Sequence, residues 1–378
     1  MGTGPLSGIK VIELAGIGPG PFAGMQLADM GAEVISVERA SDPQGRRLPE
    51  CSRRGKHSIA LNLKSEEGIC VLLELIAQAD VLLEGFRPGV TERLGVGPET
   101  CLGINPRLVY ARMTGWGQTG PLAQVAGHDI NYIALTGALH AIGTPGKPPV
   151  APLNLVGDFG GGALFAVVGI LAALLEARRS GKGQVVDAAI TDGTATLMGF
   201  IDSLAAMGHW SPERGRNLLD GGAHFYGCYE TLDGKYVSVG AIEPQFYQLL
   251  VDKAGLDPDI FAGQQQPARW PALKMQLAAV FLTRTRDEWC ALLEGSDACV
   301  APVLDYQEAR RHPHLVARDT YIDVDGMSQP APAPRFSRTP SQVAFGARAS
   351  GEDTESVLLA CGISQQRINE LRQSGALA

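Results

Sequence analysis

An α/β fold with a large first domain and a smaller α+β domain after it is predicted by three observations. Short apolar β-rich runs alternate with helical patterns through roughly the first half of the chain, which is the pattern of an open, mostly parallel sheet. The texture then changes across a polar, glycine-bearing stretch from His209 to Ala223 into a hairpin followed by helices. Finally, 378 residues exceed a comfortable single core, since domains run to roughly 100 to 200 residues.

The elements follow in order. Gly8-Ile-Lys-Val-Ile-Glu-Leu-Ala15 reads as a strand, the turn Gly16-Ile-Gly-Pro-Gly-Pro21 leads into a helix marked by Phe22, Met25, Leu27 and Met30, and Ala32 to Glu38 is the next strand. This βαβ unit nearly spells a dinucleotide fingerprint, with Glu38 placed to hold a ribose hydroxyl, but Pro21 stands at the third glycine and the match fails there. A helix from Glu66 to Gln78 feeds the strand Asp80 to Glu84; Leu108 to Met113 and Gln184 to Ala189 are further strands. Between those two lies the apolar helix Gly161 to Arg179, stopped by Gly181, and a helical segment from Thr194 to Met207 follows. Asp233-Gly234 between Tyr226 and Val239 signals a hairpin. Helices are expected at Gln245 to Lys253, Pro271 to Thr283, Arg286 to Leu293 and, after a Pro-rich run, Ser364 to Ser374. The resulting division is a large domain over residues 1–200, a linker over 201–224, a small domain over 225–320 and a C-terminal segment over 321–378 that returns to the large domain.

Composition excludes several classes. A formal net charge of −8 argues against nucleic-acid or anionic-membrane partners, which require a net basic face. The longest apolar stretch, Ala163 to Leu175, falls short of the roughly 20 residues that cross a bilayer, so no membrane partner is expected. No secretory signal is expected either, because Met1 to Gly8 is polar and Glu13 interrupts the first apolar run. Cys51, Cys70, Cys101, Cys228, Cys290, Cys299 and Cys361 are scattered and odd in number, with no C-x-x-C pair. That pattern points to reduced thiols in a cytoplasmic setting rather than to disulfides or zinc.

Four constellations carry chemistry, each with a plainer alternative. Arg39, Arg46, Arg47, Arg53, Arg54, Lys56, His57, Lys64, Arg87 and Arg93 crowd one stretch of an acidic chain; they are either a phosphate site or solvated loops. Asp158 precedes Phe159-Gly-Gly-Gly162 and the apolar helix, where a carboxylate either caps free N–H groups or exchanges a proton beside them. His128, between Gly127 and Asp129, is either a structural imidazole or an acid/base group. Glu243, just before a helix, is either a cap or the partner that raises an imidazole's basicity. No His-x-x-x-His pair or Gly-x-Ser-x-Gly elbow occurs, so neither a metal site nor a serine hydrolase is expected.

Taken together, these segments resemble the α-methylacyl-CoA racemases, within the wider family III CoA-transferase fold group. The likeness is carried by Val11-Ile-Glu-Leu-Ala15, Gly18-Pro-Gly-Pro21, Asn62-Leu-Lys-Ser65, Arg87-Pro-Gly-Val-Thr-Glu-Arg93 and Tyr110-Ala-Arg-Met-Thr-Gly-Trp-Gly-Gln-Thr-Gly120. It continues through Gly127-His-Asp-Ile-Asn-Tyr132, Pro152-Leu-Asn-Leu-Val-Gly-Asp158, Gly181-Lys-Gly-Gln184, Leu219-Asp-Gly-Gly222, Val239-Gly-Ala-Ile-Glu-Pro-Gln-Phe-Tyr247 and Asp297-Ala-Cys-Val-Ala-Pro-Val303, nearly the whole chain.

The resemblance implies a Rossmann-like CoA-binding domain, a smaller domain closing over the acyl group, and an interlocked homodimer whose active sites are shared between subunits. It implies that His128 and Asp158 exchange the α-proton of an acyl-CoA thioester, supported by Glu243 from the other subunit. Arg39, Leu61, Asn62, Leu63, Lys64, Arg87 and Arg93 match CoA-contacting positions. Gly127, Asp129, Ile130, Asn131, Tyr132, Asn154 and Tyr226 are implied to line or support the pocket. No metal or redox cofactor is implied, CoA being part of the substrate. The competing reading is a CoA-transferase in which Asp158 attacks the thioester. His128 speaks against it, because the transferases typically carry an aromatic residue at that position.

Overall fold

The computed structural model describes residues 3–39 and 50–377. Its main sheet has six parallel strands in the order β3-β2-β1-β4-β5-β6: β1 Lys10–Leu14, β2 Glu33–Glu38, β3 Lys56–Ala60, β4 Val81–Glu84, β5 Val109–Thr114 and β6 Gln184–Ala189. The order reverses between β1 and β4, which are paired through Val11 with Val81 and Leu83 with Glu13. A doubly wound sheet opens a crevice at such a switch point, outside the carboxyl ends of its strands.

Strand alternation builds a core on each face. Ile12, Ile35, Leu82 and Tyr110 point to one side and pack with Val71, Leu72 and Leu75 of the helix Glu66–Ile76 and with Val357, Leu358, Ile368 and Leu371 near the C-terminus. Val11, Val34, Val81 and Val109 point to the other side. They pack with Ala23 and Leu27 of the helix Pro19–Asp29 and with Ala166, Ile170 and Ala173 of the helix Leu164–Ser180. Burial on both faces explains why the inner strands read as near-continuous apolar runs.

The chain divides into two compact units. The first comprises residues 1–136, 153–197 and 319–378, and the second residues 137–152 and 198–318. The second holds a three-stranded antiparallel sheet, β7 Tyr226–Glu230, β8 Tyr236–Gly240 and β9 Val300–Val303. The β7–β8 turn contains Gly234 at φ 71°, a backbone conformation that glycine adopts without strain. Its core is aromatic: Phe225, Tyr229, Tyr247, Trp270, Phe281 and Trp289 are buried together. A two-stranded hairpin in the first unit, β10 Tyr321–Val324 with β11 Met327–Pro330, completes the strands.

Two elements differ from the sequence expectation. β3 is a strand although Lys56, His57 and Ser58 are polar, because Lys56 is neutralised inside the fold by Glu13 at 2.6 Å. The apolar helix does not begin at Gly161: a π-helix spans Leu155–Ala163 and runs directly into Leu164–Ser180. The continuous Leu155–Ser180 helix is long and apolar enough to cross a membrane by length and composition, and in this fold one of its faces packs against the sheet.

Candidate active site

The carboxyl ends of the parallel strands gather the predicted groups of the first unit. Arg39 follows β2, Leu61 to Lys64 follow β3, Arg87 and Arg93 follow β4, and the loop to His128 follows β5. Arg39, Lys64, Arg87 and Arg93 are exposed and make no ion pair among the described residues. The remaining cations of the basic run divide. Arg53, half-buried, pairs with Glu38 at 2.7 Å, and the buried Arg54 and Lys56 pair with Asp29 and Glu13, each at 2.6 Å, so these three are engaged by carboxylates of the fold. His57 faces Asp353 at 3.5 Å, and Arg46 and Arg47 lie outside the described residues.

Each cation-bearing loop has its own anchor. After β3, Asn62 donates from its backbone N–H to Ala376 O at 2.9 Å and from Nδ2 to Gly375 O at 3.2 Å, while its Oδ1 accepts the Lys64 N–H. Leu61 is buried and bridges to Leu377, and Leu63 packs half-buried against the core. After β4, Glu84 accepts the Phe86 N–H at 2.7 Å and the Arg112 Nε–H at 2.8 Å, and Arg112 reaches on to Glu92 at 2.7 Å. The turn bearing Arg87 and Arg93 is thereby hung on one buried guanidinium.

His128 stands immediately before the helix Asp129–Leu135, in extended conformation, with its backbone N–H donating to Asn131 Oδ1 at 3.0 Å. The Tyr132 hydroxyl donates to Gly127 O, and the Tyr132 ring meets Trp116 edge-on with centroids 4.7 Å apart. A Cβ at Gly115 or Gly127 would collide with that pair, so both glycines let the aromatic clasp close over the bend that presents the imidazole. The His128 side chain and Ile130 are exposed, whereas Asp129 is buried.

Asp158 lies within the π-helix, a form that occurs frequently at functional sites. It caps nothing. Its own N–H donates to Asp129 Oδ2 at 2.7 Å, and its carboxylate takes a long hydrogen bond from Asn154 Nδ2 at 3.4 Å. Burial pushes the Asp158 carboxyl above the usual carboxylate range. The Asn154 amide pulls it back, the Asp129 charge adds to the rise, and the His128 imidazole is close enough to lower it again. The Tyr132 phenol is also raised, first by burial and then by the charge of Asp158, with Arg87 opposing. His128, Asp158, Asp129, Asn154, Tyr132 and Arg87 therefore share one electrostatic neighbourhood.

The loop after β1 completes it. Gly18, at φ 72°, comes so near that a Cβ would lie 3.4 Å from Asp158 Oδ2, and Phe22 stacks on Phe159 at 4.5 Å. Lys56 Nζ holds Pro21 O at 2.7 Å, fixing the start of that helix. In the sequence Gly18 stands in a near-miss fingerprint and in a segment that carries the family likeness, but nothing there marks its approach to Asp158, or Phe22 or Lys56 as supports of the site.

Tyr226 and Glu243 belong to the second unit. Tyr226 is half-buried at the start of β7. Glu243 occupies the position before the helix Pro244–Ala254, but its carboxylate does not cap that helix and is exposed. Among the described residues no cluster of three or more His, Cys, Asp or Glu side chains is arranged to hold a metal ion.

Residues 6–354 match the model of CoA-transferase family III. The chain belongs to that family. As a family III protein it is 49% identical over 368 residues to a Mus musculus protein named alpha-methylacyl-CoA racemase, covering 97% of this chain and 96% of the mouse protein. The Homo sapiens protein of the same name is 46% identical over the same shares. Among solved structures, a CAIB/BAIF family protein from Brucella suis superposes with a TM-score of 0.80 at 28% identity, covering 95% of this chain and 99% of that one.

Proposed function

We propose that this family III protein is an α-methylacyl-CoA racemase, interconverting the two epimers of 2-methylacyl-CoA thioesters through an enolate. The observation that carries the reading is the pairing of an imidazole at His128 with a desolvated carboxyl at Asp158, on separate segments and within electrostatic reach of each other. Inversion at a carbon needs one group to take a proton from one face and another to return one to the opposite face. His128 acts as base while protonated Asp158 is the acid, and in the reverse direction the roles exchange. An α-proton beside a thioester is lost readily only when the enolate oxygen is stabilised. The helix Asp129–Leu135 begins beside His128, its start held by the Asn131 N–H donating to His128 O at 2.8 Å.

CoA is substrate rather than resident cofactor, and the reaction as proposed uses neither metal nor redox group. The exposed Arg39, Lys64, Arg87 and Arg93 supply the phosphate contacts, with Asn62 and the backbone of Leu61 to Leu63 beside them. The working enzyme in this proposal is a homodimer, with Glu243 reaching the partner's His128 and Tyr226 lining the pocket. The face of the helix Leu155–Ser180 turned away from the sheet supports a second copy: Leu155, Leu164, Val168 and Leu175 are 47 to 71% exposed, the kind of apolar surface that association covers. A cytoplasmic setting is supported by seven free thiols.

A transferase of the same fold uses the aspartate as a nucleophile and needs an acceptor acid. The deciding experiment incubates a single-epimer 2-methylacyl-CoA in heavy water without any acceptor. Deuterium gain at the α-carbon with loss of optical purity is expected; turnover only when an acceptor acid is added would overturn the racemase reading.

A further inference from the structure

β8 ends at Gly240, and the chain must leave the sheet before it reaches Glu243. Gly240 donates its N–H to Cys299 O at 2.9 Å, and the Ile242 N–H closes back on Gly240 O at 2.9 Å. The next two carbonyls have lost their strand partners. Both accept from a single side-chain amide, Gln264 Nε2, at 3.0 Å from Ala241 O and 2.8 Å from Ile242 O. Gln264 is itself fixed: it is 8% exposed, and its backbone carbonyl accepts the Trp270 indole N–H at 2.7 Å.

Pro244 constrains the far side of Glu243, which sits at φ −71°, ψ 141°, the extended region that a following proline favours. The Glu243 carbonyl accepts the Tyr247 N–H at 3.0 Å. The carboxylate makes no hydrogen bond among the described residues, so what the fold fixes is the backbone point from which the Glu243 side chain departs.

We infer that Gln264 is a positioning residue for Glu243, its amide spanning two consecutive carbonyls so that the backbone from which the Glu243 side chain departs is held in one place. The inference rests on the reading that Glu243 supports the imidazole of His128. A carboxylate that steers an imidazole must be held to a fraction of an ångström, because a misplacement of about 1 Å can cost about a hundredfold in rate.

The test is a double-mutant cycle on the full-length protein with Gln264→Met, Glu243→Gln and the pair, following kcat, KM and the pH profile of kcat with a 2-methylacyl-CoA. Gln264→Met is expected to lower kcat about tenfold with KM changed less than about twofold. It is also expected to move the profile in the same direction as Glu243→Gln, and to cost nothing further in the Glu243→Gln background. Equal losses in both backgrounds, or a loss carried by KM, would overturn the inference while leaving the role of Glu243 intact. A Glu243→Gln variant as active as the parent would remove the reading beneath it as well. Should Gln264→Met fail to fold, Trp270→Phe, which withdraws the donor to Gln264, replaces it in the same cycle with the same outcomes.

Discussion

Asp129 Oδ2 accepts the backbone N–H of Asp158 at 2.7 Å, so the residue after one proposed proton carrier holds the main chain of the other. Asp129 is 7% exposed, and its second oxygen, Oδ1, is buried without a hydrogen-bond partner among the described residues. An anion so placed does two things. It fixes the π-helix against the helix that His128 begins, and it raises the Asp158 carboxyl beyond what burial alone does.

Replacing Asp129 with Asn separates these effects, since an amide oxygen still accepts the Asp158 N–H but carries no charge. In the proposed reaction the active form holds one proton on the His128–Asp158 pair, and the acid limb of kcat/KM marks the pH below which the pair binds a second. Removing a neighbouring negative charge lowers the Asp158 pKa, so that limb moves to lower pH in Asp129→Asn. A profile measured by α-deuterium exchange checks this; an acid limb that stays in place, or moves up, counts against the arrangement.

Gly157 guards the same contact by steric means. A Cβ there would collide with the Asp129 Oδ2 that holds Asp158, and would lie 2.9 Å from Ile133. Overpacking of this kind costs about 1–3 kcal/mol. Gly157→Ala is therefore expected to lower the urea midpoint by a corresponding amount and to depress kcat more than KM. Gly8→Ala, at an open turn where nothing lies within 4 Å of a Cβ, provides the comparison: its φ of 85° brings backbone strain but leaves kcat unchanged.

Arg112 supports the proposed phosphate contacts through geometry rather than charge. Its guanidinium bridges Glu84 and Glu92, which flank the turn carrying Arg87. Lysine keeps the charge but lacks the fork that serves both carboxylates at once. Arg112→Lys is expected to raise KM for the CoA ester roughly tenfold with kcat little changed, which initial-rate kinetics with a CoA ester and with a truncated pantetheine ester would separate. If the truncated ester suffers equally, the turn does not act on the nucleotide end.

Much of this architecture is legible in the sequence because the main sheet is buried on both faces. β1, β2, β4 and β5 announce themselves as apolar runs, and the doubly wound order follows from their alternation with helices. β3 is not announced, since Lys56 reads as surface until Glu13 is found opposite it. The π-helix is hidden for a different reason. Its glycines look like a helix start, yet Gly161 is there because a Cβ would strike Thr194 of the helix Ile190–Leu197. Hydrophobic spacing does not register contact between two backbones. Gln264 carries no local signal at all, being one of three consecutive glutamines in a loop whose function depends on a strand end more than twenty positions earlier.

The second unit contains a buried imidazole outside the proposed chemistry. His224 is fully buried, its Nε2 lies 2.7 Å from the Tyr247 hydroxyl, and its Nδ1 has no hydrogen-bond partner among the described residues. Burial, with the Arg269 charge adding to it, lowers its pKa from 6.5 to about 4. Between those values the unfolded chain binds a proton that the folded chain does not, so stability falls as pH drops through that window and is unaffected by this group above it. The full shift corresponds to about 3 kcal/mol. His224→Gln, neutral throughout, is expected to remove this part of the acid sensitivity, so that the gap between parent and variant narrows from pH 7 to pH 4. Amide hydrogen exchange in β7 and β8 at both pH values is the measurement; parallel pH dependences in parent and variant would show that the imidazole enters the fold already able to take its proton.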